Sequence, residues 1–278
     1  MPSPTEITVA QLSRIIGTPD SPTIIDVRID DDFDADPQLL PTAKRWPFND
    51  ISSLAEALKD KRVVVYCQKG KKISQGSIAI LREMGINAES LEGGHFAWRD
   101  AGKPLIPFDK IPLANTNGRT VWVSKQRPKI DRIGCPWLIR RFIDPDAQFL
   151  FVAPSEVLDV ADKFNAIPFD VEDVFWSHRG ELCTFDTMLE EFDLKTKALA
   201  HLATIVRGAD TNQHQLAPES AGLLAASLGL SRMYRDDNAQ LDAGMLIYDA
   251  FYRWARDATN ENHDWPQAST GQRHLKGN

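Results

Sequence analysis

The stretch VVVYCQKGKKISQGSIAILREMG, residues 63–85, decides how the first half of the chain folds. Three valines and a tyrosine form a β-branched apolar run, and Cys67 stands at its end. A turn containing Lys69, Gly70, Lys71 and Lys72 follows. SQGSIAILREMG then carries apolar residues at helical spacing, with Gly85 as a C-terminal stop. Strand, loop and helix in that order make one unit of an α/β domain with a mainly parallel sheet. In such sheets ligand sites lie beyond the carboxyl ends of the strands, where Cys67 falls.

Working outward, TIIDVR (23–28) and AESLEGG (88–94) read as further strands and SLAEALKD (53–60) as a helix. The acidic run RIDDDFDAD (28–36) reads as an exposed loop, without the spacing of an EF-hand. FDKIPLANTNGR (108–119) is rich in Pro, Asn and Gly and lacks periodicity, as a connection between domains does. Beyond it we read strands at TVWVS and QFLFV, a short helix at PWLIRRFI and another over 155–164. Helical patterns follow at ALAHLATIVRGAD, PESAGLLAASLGLSRM and NAQLDAGMLIYDAFYRWARD. The second half is therefore expected to be α+β and mostly helical. The division is 1–108 for an α/β domain, 109–119 for a linker, 120–258 for the second domain and 259–278 for a mobile tail.

The chain has 278 residues, a hydrophobic fraction of 42% and a charged fraction of 26%, all within the soluble globular range. No apolar run is long enough for a membrane helix, and the first residues lack the pattern of a secretory signal, so the expected location is the cytoplasm. A net charge of −7 argues against a general nucleic-acid binder. The three cysteines are far apart and odd in number, which excludes a disulfide framework and leaves each thiol to be read separately.

A cysteine acts as a nucleophile only as its thiolate, which nearby cations and inward-pointing backbone N–H groups stabilise. The lysine-rich turn and the helix start after Cys67 offer both, and together make an anion cradle. A buried cysteine ending a strand beside solvated lysines is the alternative reading. His95, after a Gly-Gly pair, is expected to pack near the loop mouth.

The first hundred residues resemble the rhodanese sulfurtransferase family in four ordered segments: IIDVR (24–28), LLPTAKRWPF (39–48), YCQKGKK (66–72) and LREMGINAESLEGGHFAWRDAGKP (81–104). The resemblance implies that Cys67 accepts a sulfane sulfur as a persulfide, cradled by Gln68, Lys69, Gly70, Lys71 and Lys72. Asp26 and Arg28 match the strand motif and are expected to support the fold. Lys72 stands where the family usually has Arg, keeping the charge without the planar fork. The Cys-x4-Lys spacing favours sulfur over phosphoryl transfer, since related phosphatase loops are one residue longer. The implied partners are a small sulfane donor and a thiol or other nucleophilic acceptor. Such transfer by double displacement requires no cofactor.

The second half resembles the C-terminal domain of ChrB-type chromate-resistance proteins over about 120–257. RPKIDRIGCPWLIRRFIDPDAQFLFV (127–152) is followed in order by IPFDV, SHRGELCTFD, IVRGAD and LGLSRMYRDD. This implies a link to chromate resistance, as regulator or accessory factor. Two polar constellations lie inside it. If the helix through Asp210 continued to His214, those two would share a face and could hold a divalent metal with His178 or Glu181. The same residues could equally cap helices and close turns. Arg132, Arg140 and Arg141 could grip an oxyanion such as chromate, or form salt bridges with nearby acids. Trp122, Trp137, Trp176 and Trp254 are expected in the core. Two functions remain: a sulfurtransferase using Cys67, or a chromate- or metal-sensing regulator in which Cys67 is a redox-sensitive thiol.

Overall fold

A computed structural model of the chain describes residues 4–261. The first half contains β1 (Glu6–Ile7), α1 (Val9–Ile15), β2 (Thr23–Asp26), α2 (Asp30–Asp34), β3 (Gln38–Leu39), β4 (Lys44–Arg45), α3 (Ala55–Leu58), β5 (Arg62–Tyr66), α4 (Lys72–Glu83), β6 (Asn87–Leu91), α5 (Gly94–Asp100) and β7 (Ile106–Pro107). The second contains β8 (Val121–Lys125), α6 (Asp131–Leu138), β9 (Gln148–Val152), α7 (Val157–Phe164), β10 (Ile167–Pro168), α8 (Thr184–Glu191), α9 (Lys197–Asp210), α10 (Glu219–Met233) and α11 (Asp237–Asp257). Of the expected tail, residues 262–278 lie outside the described residues.

Strands β1-β6-β5-β2-β4 form a parallel sheet with β5 at its centre. Central parallel strands are covered on both faces, which is why β5 reads as an unbroken apolar run. Its side chains divide by the two-residue pleat. Val63, Val65 and then Cys67 join a cluster with Ile78 and Leu81 of α4. Val64 and Tyr66 face the other way, into a cluster with Leu12 and Trp98.

That second cluster does not stop at the domain boundary. It runs without interruption through Trp122, Trp137, Phe142 and Tyr252, all in the second half. Thr42 N–H donates to the Phe142 carbonyl at 2.8 Å, and Lys44 pairs with Asp146 at 2.9 Å. Gly17, at φ +76°, has no side chain because a Cβ there would lie 2.4 Å from the Phe142 ring.

In the second half β10-β8-β9 form a second parallel sheet, and helices make up most of the remainder. Trp137 of α6 is its aromatic hub, with Phe142, Phe185, Tyr248 and Tyr252 at ring centroid distances of 5.5–6.3 Å. The chain continues from α6 into one wider turn over 139–143, and Pro136 sits inside α6.

Two sequence expectations are corrected. The acidic run 28–36 is not a simple loop, because α2 forms within it. Phe33 is buried as its anchor, and three aspartates occupy the first turn, where the helix dipole favours negative charge. The helix through Asp210 also ends there. Thr211 caps it, Asn212 turns at φ +57°, and His214 begins a separate 3-10 turn. Asp210 and His214 therefore do not share a helical face.

Candidate functional sites

The first site is the loop between β5 and α4. Its backbone is pinned to the Gly93–Gly94 pair by N–H groups of His95 and Phe96, which donate to the carbonyls of Cys67 and Gln68 at 3.0 and 3.1 Å. The approach is so close that a Cβ on Gly94 would lie 2.2 Å from the Cys67 carbonyl oxygen, and one on Gly70 2.5 Å from that of Leu91. Both glycines have positive φ. The loop is thus fixed by glycines on two different segments.

Cys67 lines a cavity of about 920 Å³ together with Ile29, Phe48 and Ile80 and with Lys69, Lys71 and Lys72. The three lysines are exposed. Burial pushes the Cys67 thiol up. The Ser74 hydroxyl at 3.3 Å and the backbone N–H groups of Ser74, Lys71 and Lys69 outweigh it, leaving the thiol below its ordinary value. The loop backbone, one of the two stabilisers expected from the sequence, lowers the thiol directly, and the Ser74 hydroxyl joins it. Cys183 and Cys135 are buried and their thiols are pushed well up by burial and nearby carboxylates.

His95 does more than pack. It is buried, stacks on Tyr66 and meets Asp36 at 2.9 Å through Nε2, with burial lowering its basicity. Asp26 and Arg28 form a fully buried pair at 2.6 Å, and Arg28 also donates to the carbonyls of Asp36 and Gln38. That pair ties the end of β2 to the segment before β3.

The second site lies in the other half, around His178. Its Nε2 is 3.2 Å from Asp210, 3.4 Å from Asp170 and 3.7 Å from Asp131. Hydrogen bonds donated by its Nε2 to the carboxylates of Asp170 and Asp210 push the imidazole up to about 10. Asp131 is fully buried, and burial followed by the charges of Asp210 and Asp170 pushes its carboxyl well up. One of its oxygens accepts from the Thr184 N–H at 2.6 Å, at the start of α8. Asp170 accepts from the Thr184 hydroxyl at 2.9 Å and pairs with Arg132 at 3.2 Å.

Family models match the chain twice: a rhodanese-like domain over residues 8–101 and the ChrB C-terminal domain over 122–255. The chain is a rhodanese-like domain fused to a ChrB-type domain. Protein ChrB of Cupriavidus metallidurans is 28% identical over 217 residues, a match covering 73% of this chain and 65% of that protein. The fusion thus aligns with just under two thirds of that relative's length. Among solved structures, a rhodanese-related protein of Thermoplasma volcanium is 24% identical over 36% of this chain and 96% of its own, with TM-score 0.32. A rhodanese-like domain protein of Staphylococcus aureus is 27% identical over 34% and 90%, with TM-score 0.31.

In the rhodanese-like half, Gln68 to Lys72 form one continuous loop from Cys67 to the start of α4. In the ChrB-type half, the fold brings only His178 and Asp210 of the predicted metal residues together. Glu181 is exposed, and His214 lies in the separate turn after α9. Asp131 and Asp170 take their places, and sequence spacing gave no sign of them, since they come from elements 39 residues apart in chain order. The predicted oxyanion arginines do not converge either. Arg132 turns to Asp170, Arg140 to Asp242 at 3.3 Å and Arg141 to both oxygens of Asp249 at 2.8 Å. Each charge already has a carboxylate, so the salt-bridge reading describes them. Among the described residues no helix is long and apolar enough to cross a membrane.

Proposed function

We propose that this protein is a chromate- or metal-responsive binding protein in which Cys67 is the redox-sensitive thiol. The observation that carries this reading is the environment of Cys67: of three buried thiols it is the one that lines a cavity and is held below its ordinary value, while Cys135 and Cys183 are pushed up. Such a thiolate is the form that oxidants attack. Exposed lysines around the cavity favour an approaching oxyanion, chromate included, through their charge. Recognition of a metal would belong to the ChrB-type half, with 1–108 and 120–258 as the two functional units joined by 109–119. The cytoplasm, where thiols are kept reduced, suits this chemistry.

A second reading, sulfur transfer, is favoured by the backbone N–H groups directed at Cys67, which would equally cradle a persulfide. In that reading a small sulfane donor loads Cys67, a thiol acceptor unloads it, and no cofactor takes part. Intact mass of the full chain, after chromate and separately after thiosulfate, tests both. Chromate-dependent oxygen addition or disulfide formation that Cys67→Ser abolishes supports the redox reading. One added sulfur after thiosulfate, absent in Cys67→Ser, supports transfer. A Cys67 inert to both reagents overturns both.

A further inference from the structure

We infer that Asp131, Asp170, His178 and Asp210 form a binding site for one divalent transition-metal ion, of the hard-to-borderline class represented by Mn²⁺ and Fe²⁺. This deepens the binding reading above, and rests on it only for the use to which the ion is put. Ligand atoms of Asp131, Asp170 and His178 all lie within 4.8 Å of one another. Asp210 stands 3.2 Å from the same imidazole nitrogen. Three carboxyl groups surround one imidazole, with Arg132 beside Asp170, and a cation bound there would take the place of the proton on the imidazole Nε2.

A cluster of acids alone would not carry the proposal, and the second observation is Asp131. It is 0% exposed, and its Oδ1 accepts no hydrogen bond. Polar atoms buried this fully are ordinarily hydrogen-bonded, so a bare oxygen on a carboxyl whose other oxygen lies 3.7 Å from the His178 Nε2 points to a ligand. The other oxygen of Asp131 is held by the Thr184 N–H, which fixes the carboxylate's orientation. Asp170 is oriented likewise by the Thr184 hydroxyl and Arg132. Outer partners of this kind are what orient metal ligands in established sites. His178 is 41% exposed, so an ion could enter from solvent on its side.

The donor set selects the class of ion. Carboxylates suit Mg²⁺, Ca²⁺ and Mn²⁺, imidazole suits Fe²⁺ and Zn²⁺, and the absence of a thiolate in the set disfavours Cu⁺. The mixed set of carboxylates and one imidazole calls for a divalent ion between those two preferences, for which Mn²⁺ from the oxygen side and Fe²⁺ from the nitrogen side serve as probes.

The test is titration of chelator-treated, full-length protein with Mn²⁺, followed by loss of the free-ion paramagnetic resonance signal. One ion bound per chain is expected, weakened about tenfold or more in Asp131→Asn and in Asp210→Asn. Glu181→Gln and His214→Ala should bind like the parent. If Asp131→Asn does not fold, Asp210→Asn carries the test, since Asp210 lies at a helix end, 20% exposed. No binding of Mn²⁺ or Fe²⁺ by the folded parent would overturn the site, as would unchanged binding in folded Asp210→Asn. The response of Cys67 to chromate is read separately by mass. Loss of the metal site with that response intact therefore overturns this inference alone, and the reverse overturns the redox reading alone.

Discussion

At the scale of the residue, chemistry in this protein depends on which polar group each side chain is turned toward. Cys67 is set apart from the other two thiols by backbone N–H groups and by Ser74, in the first turn of α4. Native-state alkylation followed by peptide mass mapping should therefore modify Cys67 well before Cys135 or Cys183. The alkylation rate against pH should reach half its maximum below the ordinary thiol value. Ser74→Ala removes a donor that favours the thiolate, so its midpoint should move to higher pH, and an unchanged midpoint would leave the loop backbone as the whole cause. The buried pair of Asp26 and Arg28 allows a stability prediction. Asp26→Ala leaves a guanidinium uncompensated in the core, and denaturant unfolding should show a loss of about 3–5 kcal/mol. The placement of Cys67 was legible in the sequence because a strand end and a following helix start are local signals. The role of Ser74 was not, because hydroxyls early in a helix are common and only the folded loop aims this one at sulfur.

At the scale of the element, each site depends on how two segments meet. The Cys67 loop keeps its shape because Gly70 and Gly93–Gly94 let two backbones come together closer than any side chain permits. Gly94→Ala adds a Cβ at 2.2 Å from a carbonyl oxygen, in a left-handed conformation. We expect it to destabilise the fold by at least about 1–3 kcal/mol, measured by denaturant unfolding, and to slow alkylation of Cys67. The ChrB-type half is organised differently, by aromatic contacts around α6. Trp137→Ala should cost about 3–5 kcal/mol, because four rings lose a common partner and Asp249 loses the indole N–H donated at 2.8 Å. Strands and long helices were legible from their period, QFLFV and ALAHLATIVRGAD among them. The end of α9 was legible as well, since its pattern closes at Asp210, where Thr211 and a positive-φ Asn212 stop the helix; the continuation that would have put His214 on the same face does not form.

At the scale of the whole molecule, the two halves share one apolar cluster from Leu12 and Tyr66 to Phe142 and Tyr252. The chain should therefore unfold as one cooperative unit. Calorimetry should give a single transition whose calorimetric and van't Hoff enthalpies agree, and two resolved transitions would rule out that coupling. Phe142→Ala, at the seam, should lower the midpoint of that one transition instead of splitting off a peak. By itself, the sequence determined the α/β class of the first half, the mostly helical character of the second, the family resemblances and the placement of Cys67 between a strand end and a helix start. These rest on periodicity, composition and contiguous motifs, which act over a few residues. Tertiary structure alone decided that the halves share a core, that three arginines are already paired, and that Asp131 and Asp170 join His178 and Asp210. Those outcomes depend on which distant residues are brought within a few ångströms, and spacing along a chain carries no record of that distance.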